Sequence, residues 1–273
     1  MADGADEEVV FTTSTGPVRV ITAASLFDGH DAAINVMRRL IQSSGAEVIH
    51  LGHDQSAKAV VDCAIQEDAH AVALTSYQGG HVEYFTYIRE LLDEAGCEHV
   101  RIFGGGGGTI TPPEIRTLHQ SGISKIYSPD DGRTMGLMGM IHHLMGMASE
   151  VELDGKERMA RLNGPVTPDD MAKVGLLLTL SESADEQTFK AAVEACRSSD
   201  KDVPVIGFTG TGGAGKSSLL DELMLRIQRD NPGKKVCLLC VDPTRKRTGG
   251  ALLGDRIRMN SLSNNDLYMR SLA

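Results

Sequence analysis

"FDGHDAAINVMRRL", residues 27–40, lies at the junction of a strand-like and a helix-like pattern. The run that leads into it, VRVITAASLF at residues 18–27, is short and apolar, which is typical of a buried strand. After Asp28 and His30, apolar residues recur at helical spacing from Asp31 to Ser44. The stretch therefore predicts a β-strand, a turn that carries an aspartate and a histidine, and an α-helix.

The same alternation of apolar runs and helical patterns continues to residue 147. Four further strand candidates follow, AEVIHLG (46–52), AVALTSY (71–77), HVRIFGG (99–105) and KIYS (125–128). The predicted helices cover residues 31–44, 56–68, 82–95, 112–121 and 133–147. Parallel strands need right-handed crossovers, and helices supply them. We therefore predict an α/β flavodoxin-like, doubly wound (βα)5 domain with its ligand site at the carboxyl ends of the strands.

The chain divides into four predicted regions. Residues 1–17 are expected to be a flexible amino terminus, and residues 18–147 form the doubly wound domain. Residues 148–200, which carry charged helical stretches, read as a helical linker. Residues 201–273 begin a P-loop NTPase domain, of which about half the usual length is present, so we expect the sequence to be a fragment.

The charge and composition of the sequence argue against two classes of binding partner. The formal net charge is −10 and the basic clusters are short, which argues against nucleic acid and against anionic membrane surfaces. The sequence contains no apolar run of about 20 residues, and its acidic start has no secretory character. We expect a cytoplasmic protein with five reduced cysteines.

The segment GTGGAGKS, residues 210–217, fits the phosphate-loop pattern GxxxxGK[ST] between a predicted strand and a predicted helix. Backbone N–H groups of such a loop face the phosphates, the lysine reaches the terminal phosphates, and the serine binds magnesium. Asp242, after the next apolar run, is either a magnesium-side carboxylate or an ordinary strand terminator. The nucleotide-binding candidates are Gly210, Gly212, Gly213, Ala214, Gly215, Lys216, Ser217 and Ser218, with Lys216 as the catalytic candidate.

Three segments of the last 70 residues resemble one family of GTPases. They are GFTGTGGAGKSSL (207–219), VDPTRKRTGGALLGDRIRM (241–259) and YMRSLA (268–273), and they resemble the MeaB and ArgK GTPase chaperones of cobalamin-dependent acyl-CoA mutases. The resemblance implies that the nucleotide is GTP. It also makes Ser217, Asp242 and Asp255 candidates for the magnesium site and the switch region.

The Asp28-Gly29-His30 turn resembles part of a second signature. Together with Thr75-Ser76-Tyr77 and Gly107-Gly108, it is similar to the DxHxxG, SxL and GG elements of the cobalamin-binding domain of acyl-CoA mutases, with Ala33 and Tyr77 as departures. The resemblance implies that His30 binds cobalt while Asp28 holds its other ring nitrogen, which fixes the tautomer and raises basicity. The remaining expected contacts to the benzimidazole tail are Thr75, Ser76, Gly107, Gly108, Tyr127 and Ser128.

The two resemblances on one chain are those of the fused isobutyryl-CoA mutases. They imply adenosylcobalamin, GTP and magnesium, and a radical isomerisation of isobutyryl-CoA and n-butyryl-CoA whose cofactor loading the GTPase gates. The acyl-CoA would bind a barrel domain outside this chain, so the chain alone is expected to lack mutase activity. An adenosyltransferase and a second copy in a homodimer are the expected partners. Three alternatives stay open: a cobalamin carrier or regulatory module, a methylmalonyl-CoA mutase-related protein, and a flavodoxin-like domain that binds no cobalamin.

Overall fold

The computed structural model describes most of the chain. The described residues are 11–13, 16–151, 160–162, 164–167, 169–197, 203–242, 250–263 and 266–273. Most of the predicted flexible terminus, residues 1–10 and 14–15, lies outside them. The described residues form the strands and helices that follow.

The strands and helices are numbered in chain order. The strands are β1 (Thr12–Thr13), β2 (Gly16–Pro17), β3 (Arg19–Ser25), β4 (Glu47–Gln55), β5 (Ala71–Thr75), β6 (Arg101–Gly105), β7 (Lys125–Tyr127), β8 (Val236–Val241), β9 (Ala251–Leu253) and β10 (Leu267–Leu272). The helices are α1 (Asp31–Ser43), α2 (Ala57–Gln66), α3 (His81–Glu94), α4 (Pro112–Gln120), α5 (Pro129–Ser149), α6 (Met171–Ser183), α7 (Glu186–Cys196) and α8 (Lys216–Asp230).

The larger sheet has six parallel strands in the order β7-β6-β5-β3-β4-β9. Every residue of β3, the central strand, is buried. Alternate side chains of the strands enter two apolar cores, one under α2, α3 and α4 and one under α1 and α5. This arrangement of β3 to β7 and their helices confirms the predicted flavodoxin-like fold.

The sixth strand, β9, comes from the part of the sequence that we placed in the nucleotide-binding unit. It pairs with β4 through residues 251–253. Gly250 precedes it, and a Cβ atom there would lie 2.2 Å from the carbonyl oxygen of Gln42. A glycine therefore lets the second unit approach the end of α1 and add a strand to the sheet of the first unit.

The second unit has a smaller sheet in which β8 and β10 pair in parallel. Apolar residues of α8, including Met224, pack on these strands in a separate core. The strand predicted before the phosphate loop is wrong, because residues 203–211 form no strand and pair with neither β8 nor β10. The side chains of Val205 and Ile206 are 94% and 74% exposed, so this apolar segment has no sheet to bury it.

Across the described ranges, each helix is too short or too polar to cross a lipid bilayer.

Candidate functional site

The turn between β3 and α1 is built around a buried carboxylate. Asp28 is fully buried, and its Oδ1 accepts the backbone N–H of His30 at 2.9 Å and lies 2.8 Å from His30 Nδ1. Its Oδ2 accepts the backbone N–H of Tyr77 at 2.7 Å. Burial by itself raises the pKa of Asp28, but the hydrogen bonds from Tyr77 and His30 outweigh it and the pKa lies below its ordinary value. Asp28 is therefore ionised at neutral pH.

The ionised Asp28 determines which nitrogen of His30 is available. A carboxylate only accepts hydrogen bonds, so Nδ1 of His30 carries the proton and Nε2 keeps its lone pair. The side chain of His30 is 63% exposed. The ring of Tyr77 lies beside it, with 5.5 Å between the ring centroids. The turn thus presents Nε2, an accessible imidazole nitrogen with a free lone pair, to a metal ion.

A cavity of about 260 Å³ lies beside this turn, between the carboxyl ends of β5, β6 and β7 and the helices α1 and α5. Its walls are apolar except for a few hydroxyl groups. Of the predicted tail contacts, Thr75, Gly107, Tyr127 and Ser128 line the cavity. The residues that the sequence analysis did not assign to the site include Ala33, Ile34, Met37, Phe103, Gly106, Gly132, Met140 and Leu144.

Two of the predicted tail contacts, Ser76 and Gly108, are not among the residues that line the cavity. The hydroxyl of Ser76 accepts a hydrogen bond from Ser25 at 3.0 Å, which ties β5 to β3. Thr75, by contrast, lines the cavity, and its Oγ1 is buried without a hydrogen-bond partner in the described part of the chain. An unsatisfied buried hydroxyl is rare, and a ligand atom would satisfy it.

The glycine-rich end of β6 shapes the floor of the cavity. A Cβ atom at Gly106 would lie 1.9 Å from the carbonyl oxygen of Ser76, and one at Gly104 would lie 2.4 Å from the ring of Phe85. Gly107 has a left-handed backbone with φ of 58°. The run of five glycines therefore signals close approach of neighbouring chain segments, and Gly106 is its most constrained member.

The last helix, α5, forms one wall. Met145 is fully buried in the core, whereas Met140 lines the cavity. Ser128, at the helix amino terminus, forms a reciprocal capping box with Asp131. Tyr127 lies just before it, and its hydroxyl is 2.9 Å from Nδ1 of His143 on α5. These contacts fix the direction in which α5 leaves the sheet.

The phosphate loop lies in the second unit and is exposed. Gly213 and Gly215 have left-handed backbones with φ of 79° and 83°, and α8, the helix predicted after the loop, begins at Lys216. Nζ of Lys216 donates to the carbonyl oxygens of Gly210 and Thr211, each at 3.0 Å. The lysine therefore contacts the loop that would surround a phosphate group.

The two acidic candidates for the magnesium site lie at strand ends. Asp242 follows β8, and its backbone N–H donates to the carbonyl oxygen of Leu272. Asp255 follows β9 and pairs with Arg258 at 2.5 Å rather than with Ser217. Within the described ranges, no group of three or more histidine, cysteine, aspartate or glutamate side chains could hold a metal ion.

Comparisons with known proteins match both units. The family model of the B12 binding domain matches residues 18–128, and that of the methylmalonyl-CoA mutase-associated GTPase MeaB matches residues 174–273. Fused isobutyryl-CoA mutases of Geobacillus kaustophilus and Nocardia farcinica are 51% and 52% identical, and each match covers 94% of this chain and 24% of the relative. The 2-hydroxyisobutanoyl-CoA mutase small subunit of Aquincola tertiaricarbonis is 34% identical over 42% of this chain and 82% of that protein.

Fold, site and matches define a chain that joins a B12-binding domain to a MeaB-type GTPase domain. Along 94% of its length it is similar to the fused isobutyryl-CoA mutases, which confirms the resemblance found in the sequence. The chain spans about a quarter of the length of those curated relatives. The MeaB match starts at residue 174, so it includes α7 and most of α6, which the sequence analysis placed in a linker.

Proposed function

We propose that the first domain binds cobalamin with the benzimidazole tail in the cavity and with Nε2 of His30 as the lower ligand of cobalt. The observation that carries this proposal is the combination of an Asp28-oriented imidazole and an adjacent apolar cavity. The residues fit cobalamin, because the buried hydroxyl of Thr75 has no hydrogen-bond partner among the described residues and a ring nitrogen of the tail would accept a hydrogen bond from it.

In the proposed complex, each part of the site has a separate task. Asp28 keeps the proton of His30 on Nδ1 and so leaves Nε2 to bind the metal. The glycines of β6 admit a flat aromatic ring, and the apolar side chains of α1 and α5 exclude water from it. When held by these residues, the adenosyl form of the cofactor would supply radical chemistry to the reaction.

The second domain is proposed to bind GTP with magnesium. The amides of the phosphate loop and the amino terminus of α8 favour an anionic ligand at Lys216. Lys216 would then exchange its contacts with Gly210 and Thr211 for contacts with the terminal phosphates. Ser217 would bind magnesium, and Asp242 and Asp255 would complete its surroundings.

The full reaction is proposed for the longer protein to which this chain corresponds. There, isobutyryl-CoA and n-butyryl-CoA would be interconverted on a barrel domain, while this domain would hold the cofactor. The GTPase domain would gate cofactor loading, with an adenosyltransferase as donor. We further propose that the longer protein is a cytoplasmic homodimer. The names of the relatives and the joined domains support the proposed mutase reaction and the presence of a GTPase beside it.

The experiment that tests the cavity compares cobalamin with cobinamide, which lacks the benzimidazole tail. Ala33 lines the cavity on α1, while its neighbour Ala32 is exposed. We expect Ala33→Phe to weaken cobalamin binding at least tenfold and to leave cobinamide binding within threefold of wild type. Ala32→Phe is the matched control and should change neither. Equal affinity of the wild-type chain for the two compounds would contradict the proposal.

A further inference from the structure

Two residues with unusual backbone conformations face each other beside the His30 turn. Phe27 and Asp54 have φ of 62° and 56°, in the left-handed region that residues with a side chain rarely adopt. Phe27 lies immediately before Asp28, and Asp54 lies near the end of β4. The ring of Phe27 is 78% exposed, so packing of its own side chain does not hold this conformation.

Two hydrogen bonds join these residues. The backbone N–H of Phe27 donates to Oδ1 of Asp54 at 2.7 Å. The backbone N–H of Asp54 donates to the carbonyl oxygen of Asp28 at 3.3 Å. An N–H bond to an ionised carboxylate at this distance is among the stronger hydrogen bonds in proteins. Asp54 therefore bonds to the chain on both sides of the peptide bond between Phe27 and Asp28, where the chain enters the turn that carries His30.

An irregularity of the sheet places Asp54 there. Thr22 and Ser25 of β3 pair with His50 and Gln55 of β4, so that three steps along β3 correspond to five along β4. Such bulges reorient side chains next to functional sites. The extra residues of β4 carry Asp54 out of the ladder and over the end of β3, where its carboxylate meets the amide of Phe27.

We infer that Asp54 is a positioning residue for the cobalt ligand, acting through the backbone of Phe27 and Asp28. This inference rests on the proposed function of His30. Two hydrogen bonds join Asp54 to this part of the chain, one from the Phe27 N–H to the Asp54 carboxylate and one from the Asp54 N–H to the Asp28 carbonyl oxygen. Loss of the Asp54 carboxylate removes the first of these bonds and leaves the tail cavity intact, but it lets the turn that carries His30 move relative to the cavity.

Two substitutions of Asp54 distinguish the effect of its side-chain hydrogen bond from the effect of its left-handed backbone. Asp54→Asn keeps an acceptor oxygen, and asparagine tolerates the left-handed backbone. Asp54→Gly adopts that backbone freely but removes the acceptor. A purely conformational role predicts that both variants behave as wild type, whereas the positioning role predicts a defect in the glycine variant alone.

The first measurement needs no cofactor. In amide hydrogen exchange followed by NMR on the whole chain, Asp54→Gly should accelerate exchange of the Phe27 amide at least tenfold, and exchange of the core strand β3 should stay within twofold. Asp54→Asn should exchange as wild type. An unchanged Phe27 amide in the glycine variant would overturn the inference.

The second measurement reports on cobalt ligation. With uniformly ¹⁵N-labelled protein and cob(II)alamin, a protein ligand splits the electron paramagnetic resonance lines into doublets, while the cofactor's own ¹⁴N base gives triplets. Asp54→Gly should bind cobalamin within threefold of wild-type affinity but show the doublets in less than half of the bound cofactor. Asp54→Asn should restore them.

The two proposals fail in different ways. A full doublet signal in Asp54→Gly, or ligation and affinity lost in parallel, would overturn the positioning role of Asp54 alone. Absence of doublets in the wild-type chain would overturn the cobalt-ligand role of His30 and, with it, this inference.

Discussion

At the scale of single residues, the site depends on a few atoms whose positions are fixed by neighbours far away in sequence. Asp28 and His30 could be predicted from the sequence, because both lie in one short turn of recognisable pattern. The roles of Thr75 and Ser76 could not, because two adjacent residues at a strand end point to opposite sides and the strand register decides which one meets the cavity.

Gly106 is the glycine of the site at which an added Cβ atom would come closest to another backbone segment, and this contact predicts the effect of a substitution there. A methyl group there would meet the carbonyl oxygen of Ser76 at 1.9 Å, so the ends of β5 and β6 must separate. We expect Gly106→Ala to lower the free energy of unfolding by about 1–3 kcal/mol in urea denaturation, a typical cost of overpacking. Gly108→Ala is the control, because no atom lies within 4 Å of its added Cβ. Equal stability of the two variants would contradict this account.

At the scale of elements, the alternating pattern predicted the strands and helices of the first domain with small errors at their ends, since each buried face leaves its own period in the sequence. For the segment before the phosphate loop, the same kind of pattern predicts a strand that the structure does not contain. Residues 203–211 have a strand-like composition, but a strand needs a hydrogen-bonding neighbour, and neither β8 nor β10 pairs with it.

The capping box of α5 predicts a pH dependence of stability. Burial raises the pKa of Asp131, but hydrogen bonds from Ser128 and Lys125 outweigh it and lower the pKa from 3.8 to about 2. A carboxyl group whose pKa is lowered by folding stabilises the folded state above its unfolded pKa, and this contribution is lost as the pH falls from about 4 to about 2.

We therefore expect Asp131→Asn to be less stable than wild type at pH 6, with a difference that narrows as the pH falls from 4 toward 2. Urea denaturation at pH 6, 4 and 2.5 measures this difference. Asp130→Asn, whose side chain is 81% exposed and whose partner is the exposed Arg133, is the control. A difference between Asp131→Asn and wild type that stays constant with pH would refute the role of the cap.

At the scale of the whole molecule, buried charges connect the two units. Glu67 on the first unit is fully buried and accepts hydrogen bonds from Arg256 at 2.9 Å and from the backbone N–H of Ser271 at 3.1 Å. Arg270, also fully buried, lies 3.7 Å from Glu67 and bonds to Glu182 on α6. The sequence predicted two separate units and gave no sign of this network. Residue pairs about 200 positions apart leave no local pattern in the sequence.

The network predicts a coupling of the two units that depends on Glu67. Glu67→Gln leaves two buried arginines without their shared counter-charge, and breaking a buried pair costs about 3–5 kcal/mol. We expect the wild-type chain to unfold in one calorimetric transition and the Glu67→Gln variant to unfold in two. Glu186→Gln, at an exposed pair with Lys190, should leave the transition unchanged. One unsplit transition at the wild-type temperature would contradict the coupling.

The central claim is that His30 binds cobalt while the tail of the cofactor lies in the cavity. Visible absorption of adenosylcobalamin bound to wild type and to His30→Ala tests it most directly, because cobalt with a lower nitrogen ligand is red and without one is yellow. The account predicts a red complex with wild type and a yellow complex with His30→Ala. A red complex with His30→Ala would show that the cofactor keeps its own base on cobalt, and would contradict the account.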